Sequence, residues 1–235
     1  MNNKDVKNII KKLVIATIWL IIWQIVAICV NNSIFFASPV AVCKSLISLM
    51  HTKNYYFSIF NSLVRILAGF TASFIIGFIF AFLAYEIEII KDFIYPLILL
   101  LRSVPVAAVV VIISMVAGSD MLSFYVTFMV SFPLVYQNII EGLTKQDKKM
   151  LELAKVYRLN FLSRFINIYL PNVYSHISGA IKTGLGMSFK SGVAAEIIVM
   201  TKDSIGLGIY NSKIYLDTKE VLAWTLSVVI ISYFT

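Results

Sequence analysis

Charged residues are scarce in this chain. Asp, Glu, Lys and Arg together make up 14% of its 235 residues, hydrophobic residues make up 60%, and the mean hydropathy is +0.88. A soluble domain carries about 25% charged residues, so the composition excludes an ordinary soluble domain. It predicts a polytopic membrane protein, since a span needs about 20 mostly apolar residues and the length leaves no room for a separate soluble domain.

Side chains for metal or redox chemistry are also few. His51 and His176 stand alone, and the only cysteines, Cys29 and Cys43, lack metal-ligand spacing. We therefore expect no metal site and no cofactor. The two cysteines flank the first outer loop, which leaves a disulfide conceivable, although two unpaired thiols are the favoured interpretation.

Two functional motifs are absent from the sequence. It has no G-x-x-x-x-G-K-[ST] phosphate loop, so we expect no ATP site and no enzymatic activity in the chain itself. It also has no basic cluster interleaved with stacking aromatics on a polar face, which argues against nucleic-acid binding. The net charge of +8 instead fits Lys and Arg gathered on the cytoplasmic side of a membrane.

The apolar runs predict an all-α membrane domain with about six transmembrane helices. They cover about 13–30, 63–85, 93–117, 121–140, 172–200 and 221 to the end. Ser38 and Pro39 read as the N-cap and first residue of a helix between the first two spans, and Pro105 predicts a break in the third. The last span is still apolar at Thr235, so we expect it to continue further.

The Lys and Arg distribution predicts the orientation. With the N-terminus in the cytoplasm, the inner segments hold 11 basic residues and the outer segments hold 5. The N-in orientation is therefore favoured. It places the polar segment 142–171 in the cytoplasm.

This polar segment predicts two short helices below the membrane. Met150, Leu153, Ala154 and Tyr157 fall on one helical stripe. Asn160 can then act as a turn residue or an N-cap, and a second helix over 161–169 leads to Pro171, which should end it and start the next span. The segment could rest on lipid as an amphipathic hairpin or dock a cytoplasmic partner, and Glu152 within the basic stretch favours a protein contact.

The spacing of this segment resembles the cytoplasmic EAA loop of ABC importer permeases. Glu152-Leu153-Ala154 is followed by three residues, Arg158, nine residues and Ile168-Tyr169-Leu170-Pro171, which fits E-A-A, three residues, G, nine residues, I-x-L-P without a gap. Leu153 replaces an alanine, which is a mild departure. Arg158 replaces the glycine, and a left-handed turn costs a non-glycine residue roughly 1 kcal/mol or more, so Asn160 is placed to take over the turn.

The resemblance covers about residues 35–235. Phe36-Ala37-Ser38-Pro39, Ser62-Leu63-Val64-Arg65, Arg102-Ser103-Val104-Pro105, Ala195-Glu196 and Gly206-Leu207-Gly208 look like landmarks of one branch. That branch imports nitrate, sulfonates, taurine and thiamine-precursor pyrimidines.

The resemblance implies a type I importer permease in a prokaryotic cell membrane. Two permeases, identical or related, would form the pore, and an extracytoplasmic binding protein would deliver the substrate. Two cytoplasmic ATPase subunits would each receive one coupling helix. The coupling residues implied are Glu152, Leu153, Ala154, Tyr157, Arg158, Asn160, Ile168, Leu170 and Pro171.

The fifth predicted span is unusually polar. Intramembrane charges are costly and usually face a bundle interior or a wet cavity, and this span holds Lys182, Lys190 and Glu196. Lys182 is close enough to one end to snorkel. We hypothesise that Ser188, Lys190, Ser191 and Glu196 line the translocation path; an ion pair of Lys190 with Glu196 or with a subunit partner is the alternative.

Two other functional classes fit the composition less well. A secondary transporter driven by an ion gradient would need a coupling-ion site and usually internal repeats, and no convincing repeat is found. A membrane scaffold without a pore would have no use for a charged fifth span.

Overall fold

The computed structural model describes residues 3–30, 32, 34–145, 150, 154, 156–157 and 159–234. The secondary structure of these residues is mainly helical, with no strand. The α-helices that the described residues form are α1 Asn3–Val30, α2 Pro39–Met50, α3 Lys53–Glu86, α4 Glu88–Ser103, α5 Val106–Ala117, α6 Leu122–Thr144, α7 Phe161–Arg164, α8 Leu170–Val199, α9 Ile205–Ile214 and α10 Thr218–Phe234. A π-helical turn, Phe165–Tyr169, joins α7 to α8.

Helices α3, α6 and α8 form the core of the protein. Small residues let them approach closely, as expected for helices packed in lipid. A Cβ added at Gly69 of α3 would lie 3.1 Å from the Cα of Phe124, and one added at Gly77 would lie 3.1 Å from Cγ1 of Val135 on α6. Two glycines of α3 therefore lie where another helix comes close.

Helix α2 begins where the sequence predicts. Ser38 has an extended backbone, and its Oγ accepts a hydrogen bond from the backbone N–H of Ala41 at 3.3 Å, with Pro39 in the first helical turn. Helix α1 packs mainly along α2, and the indole of Trp23 donates to the carbonyl of Ala37 at 3.1 Å. Most of the α1 surface is left exposed in the single chain.

The third predicted span is sharply broken. Helix α4 ends at Ser103, α5 begins at Val106, and their axes are bent by 103°. Pro105 lacks an N–H and cannot continue the ladder of α4, so the predicted break is confirmed. Arg102 lies next to it and donates to the side-chain oxygen of Gln137 on α6, which gives its charge a polar partner.

Within the described part of the chain, three helices are long and apolar enough to cross a membrane by themselves. They are Ile10–Val30 within α1, α3 and α6, and the bent pair α4–α5 makes a fourth if it counts as one span. The other two predicted crossings fall on α8, which is 30 residues long but carries three charged residues, and on α10, which has 17 residues. Crossing by α8 and α10 stays a prediction.

Candidate functional site: coupling loop and charged helix

The segment predicted to form the coupling loop is partly described. Glu152, Leu153 and Arg158 lie outside the described residues, so the predicted role of Arg158 in the turn stays open. Ala154 is buried, and its carbonyl accepts from the N–H of Leu159 at 3.0 Å. Tyr157 is 74% exposed, so the two described residues of this part of the motif differ in environment.

Asn160 caps the helix that follows it. Its side-chain oxygen accepts from the backbone N–H of Ser163 at 2.9 Å, and its carbonyl accepts from the N–H of Arg164 at 3.1 Å. This is the N-cap geometry that asparagine favours. Of the two roles left open by the sequence, the N-cap is therefore the one observed.

Pro171 lies in the first turn of α8, as predicted, but the helix before it does not end there as expected. The backbone stays helical from Phe161 through Leu170 into α8, because the π turn Phe165–Tyr169 carries the chain past the proline. The N–H of Leu170 bonds the carbonyl of Phe165, five residues earlier. A wider turn reconciles the missing proline N–H and its ring with a continuous helix.

The rest of the I-x-L-P motif divides between two environments. Ile168 is buried, whereas Leu170 is 40% exposed and Pro171 is exposed. The residue between them, Tyr169, is buried and donates its hydroxyl proton to Glu86 at 2.9 Å. No role was predicted from the sequence for Tyr169 or Glu86.

The polar residues of α8 separate onto two faces. Ser188 is fully buried against α6, with its Oγ 2.6 Å from Oγ of Ser131, and Ser191 bonds the carbonyl of Met187 at 2.9 Å. Lys190 is exposed on the opposite side, and among the described residues it forms no ion pair. The alternative of a Lys190–Glu196 pair does not match this arrangement.

Glu196 is at the centre of a buried polar cluster. Its side chain is fully buried. Oε2 accepts from Ser62 Oγ at 2.8 Å and from the N–H of Gly206 at 3.2 Å, while Oε1 accepts from Ser123 Oγ at 3.0 Å. One carboxyl group thus joins α3, α6, α8 and α9.

The cluster also completes the N-terminus of α9. Ser62 Oγ accepts from the N–H of Ile205 at 2.9 Å, Glu196 accepts from Gly206, and Ser204 Oγ accepts from the N–H of Leu207 at 3.0 Å. The free N–H groups of a helix start favour a negative charge. The carboxyl of Glu196 is therefore held by hydrogen bonds from two hydroxyl groups and one backbone N–H.

The chain between α8 and α9 is tightly bound to its surroundings. Met200 is left-handed (φ 53°), and the N–H of Thr201 bonds the carbonyl of Glu196 at 3.2 Å, as in a Schellman helix end. Arg65 donates to the carbonyl of Lys202 and Asn61 to that of Asp203, both at 3.3 Å. This turn is rigidly positioned over the start of α9.

No cluster of metal ligands occurs among the residues that the structure describes. Cys29 and Cys43 are both free thiols and both exposed. The chemistry available in this region is hydrogen bonding and charge.

Residues 73–235 match the family of binding-protein-dependent transport system inner membrane components. The chain belongs to this family. The match covers α6 and α8 with the segment between them, which contains the EAA-like motif. The family and the all-helical architecture together confirm the predicted fold class, that of an ABC importer permease.

Individual relatives of this permease are distant but span most of its length. A nitrate import permease of Synechocystis sp. is 23% identical over 86% of this chain and 76% of its own. A putative aliphatic sulfonates transport permease of Bacillus subtilis is 24% identical over 91% of this chain and 78% of its own. A bicarbonate transport system permease of Synechocystis sp. is 23% identical over 68% of this chain and 58% of its own.

The permease family also settles general features of the protein. The protein is a multi-pass membrane component of an ABC transporter, and such permeases are not themselves enzymes. Their transport systems include an ABC ATPase and a substrate-binding protein.

Residues of the family-like motifs that are far apart in the sequence meet in the fold. Ser62, Glu196 and Gly206 come from three separate landmarks and meet in one cluster. Sequence reasoning missed Ser123 because a lone serine at the start of an apolar helix gives no signal of its own. A signal does come from three small residues together, Ser123, Thr127 and Ser131, which are buried at four-residue intervals on α6. This spacing marks a helix face that packs closely against another helix.

Proposed function

We propose that this permease forms, with a second copy or a related subunit, the pore of an ABC importer for a small anion. The observation that carries the proposal is Lys190. Helix α8 exposes it about 14 Å from its C-terminal end, at 1.5 Å per residue, and no described residue neutralises its charge. An exposed ammonium group at this depth requires a wet cavity or a subunit partner.

The exposed face around Lys190 suits a path for solutes. Thr183, Gly186, Met187 and Lys190 are all exposed. An added Cβ at Gly186 would meet nothing within 4 Å. The face therefore has open space at Gly186 and a positive charge at Lys190, and this charge favours an anion over a cation.

The relatives support the same substrate class. Their names specify nitrate, aliphatic sulfonates and bicarbonate, which are all anions. A thiamine-precursor pyrimidine, the other substrate class expected from the sequence, has no negative charge for Lys190 to attract.

The buried residues suggested for the path take a different role in this proposal. Ser188, Ser191 and Glu196 stabilise the packing of α8 in the single chain. Lys190 is then the path residue, and the three buried residues hold α8 so that it faces the path.

The cytoplasmic end of the proposed importer is the segment 142–171. Met150, Val156 and Tyr157 are 49%, 76% and 74% exposed. Apolar side chains left in water between spans favour a protein partner. We propose that this segment docks an ABC ATPase subunit, with the N-terminus of the permease in the cytoplasm and the binding protein on the outer side.

Uptake by the whole transport complex tests the substrate role. The substitution Lys190→Met keeps a long side chain and removes the charge. We expect it to lower uptake of radiolabelled nitrate, taurine or bicarbonate, whichever the wild type imports, about tenfold, the factor given by about 1.4 kcal/mol of lost attraction. Lys182→Met is the matched control, because Lys182 is exposed nearer the N-terminal end of α8 and can snorkel.

The outcomes separate the parts of the proposal. Unchanged anion uptake by Lys190→Met would overturn the role of Lys190, and uptake of a pyrimidine but of no anion would overturn the substrate class. Docking is tested by co-purification: Glu152→Lys should reduce the amount of ATPase bound to the permease, and an intact complex would contradict the docking role.

A further inference from the structure

The end of segment 142–171 is bonded to a helix far away in sequence. Tyr169 is only 4% exposed, and its hydroxyl donates to Oε1 of Glu86, the last residue of α3, at 2.9 Å. A hydrogen bond to a carboxylate is about twice as strong as one between neutral groups. The bond therefore fixes the loop exit to α3 as well as to α8.

Aromatic contacts orient the tyrosine for this bond. Its ring packs edge-to-face on Phe82 and on Tyr85, with both centroid distances 5.7 Å. Phe82 makes a second edge-to-face contact, at 5.4 Å, with Phe165 at the start of the π turn. These are favoured aromatic geometries, and they hold both ends of the π turn against α3.

These side-chain contacts lie at both ends of the π turn. Such turns are rare, occur mostly as single turns within α-helices, and are frequent at functional sites. Phe165 and Tyr169 begin and end the turn, so the contacts with α3 hold both of its ends.

The tyrosine hydroxyl stays protonated and able to donate. Burial, together with the hydrogen bond to Glu86, raises the pKa of Tyr169 to about 12. The hydrogen bond from Tyr169 to Glu86 therefore keeps its donor throughout the physiological pH range.

We propose that Tyr169 and Glu86 are positioning residues that transmit movement of the coupling segment to α3 and α8 together. This rests on the proposed function, in which segment 142–171 docks the ATPase. Helix α8 is also tied to α3 at its other end, where Ser62 donates to Glu196. A displacement applied at the loop exit is then shared by both helices along their length.

Distances between spin labels on the two helices test the proposal in the whole complex. Labels are attached at Ile87→Cys, where α3 ends, and at Ser175→Cys on α8, which are both exposed. Cys29→Ser and Cys43→Ser remove the two exposed native thiols. Pulsed electron paramagnetic resonance then compares the nucleotide-free complex with the vanadate-trapped complex in lipid nanodiscs, with labelled permease diluted in unlabelled permease.

The unmodified pair should give one narrow distance that is the same in both states. Tyr169→Phe removes the hydroxyl and keeps the ring, and we expect a second distance population in the trapped state. Glu86→Ala should do the same, whereas Glu86→Gln should restore the single distance because its amide oxygen still accepts. Tyr95→Phe is the matched control, since Tyr95 is 66% exposed on α4.

Co-purification of the ATPase is measured on every variant. The ATPase could stay bound while Tyr169→Phe and Glu86→Ala both keep the wild-type distance in both states. That result would refute the positioning role of Tyr169 and Glu86 and leave the docking proposal standing. If no ATPase binds even the unmodified permease, the proposed function fails first. Should Tyr169→Phe not fold, the comparison of Glu86→Ala with Glu86→Gln decides alone.

Discussion

The substitution Gly206→Ala should be among the most damaging single-methyl additions in this permease. Gly206 is the second residue of α9, and it lies directly against the backbone of α8. An added Cβ would lie 2.6 Å from the carbonyl carbon of Glu196 and 2.6 Å from the backbone N of Ile197. Non-bonded heavy atoms prefer about 3.5–4.0 Å, so α9 would have to move away by roughly 1 Å.

The cost of this movement has two parts. Overpacking a tight site costs about 1–3 kcal/mol. Moving α9 also stretches the 3.2 Å hydrogen bond from Gly206 to Glu196, and a hydrogen bond to a charged group contributes about 1.5–3 kcal/mol. The nearest crowding atom is Cβ of Glu196, and the other two are backbone atoms of α8. Because side-chain rotation moves none of these atoms, it cannot relieve the contact. We expect a total loss of roughly 3–6 kcal/mol.

Thermal unfolding of the detergent-solubilised permease measures this loss. At about 2–4 °C per kcal/mol for a chain of this size, Gly206→Ala should lower the melting temperature by about 6–24 °C. Gly186→Ala is the matched control, since an added Cβ there meets nothing within 4 Å. Alanine is favoured over glycine in a helix by about 0.5–1 kcal/mol, so the control should melt slightly higher.

A Gly206→Ala permease that melts within 2–3 °C of wild type would refute the reasoning. It would mean that α9 can separate from α8 without cost. The polar cluster around Glu196 would then not fix the position of α9.

Three further predictions concern other contacts. Glu196→Ala leaves two buried hydroxyls and one N–H without their acceptor and should cost more than about 4 kcal/mol, whereas Glu196→Gln keeps an acceptor and should cost less than half as much in the same melting assay. Asn160→Ala removes the cap on Ser163 and should destabilise the loop exit by about 1 kcal/mol, seen as faster hydrogen exchange at the Ser163 amide. Met200→Gly relieves a left-handed residue and should raise the melting temperature by a few degrees, because glycine adopts this conformation about 1 kcal/mol more cheaply.

The helices and their breaks were predictable where local chemistry decides them. Ser38 and Pro39 start α2 because capping depends on neighbouring residues. Pro105 breaks α4 from α5 because it lacks an N–H. The continuous helix through Pro171 was not predictable in the same way, because a π turn has no sequence signature that separates it from a helix end.

Which residues meet across the fold was less predictable. Glu196 was expected to line a path because an acid in a membrane span must find polar surroundings. The structure supplies them from Ser62, Ser123 and the first turn of α9, and those partners lie 134, 73 and 10 residues away in sequence. Hydrophobic periodicity shows which face of a helix is buried, and it does not show which helix covers that face.

Lys190 and Glu196 lie on the same helix, α8, but their side chains have different surroundings. Six residues apart on α8, their side chains project to different sides, and only Glu196 finds donors within the chain. Glu196 fixes α8 against α3, α6 and α9, so its partners are complete without a second subunit. Lys190 lacks an ion-pair partner among the described residues, and in the proposed function its charge attracts the anionic solute. For that reason Lys190→Met should change uptake with little effect on melting, whereas Glu196→Gln should change melting first.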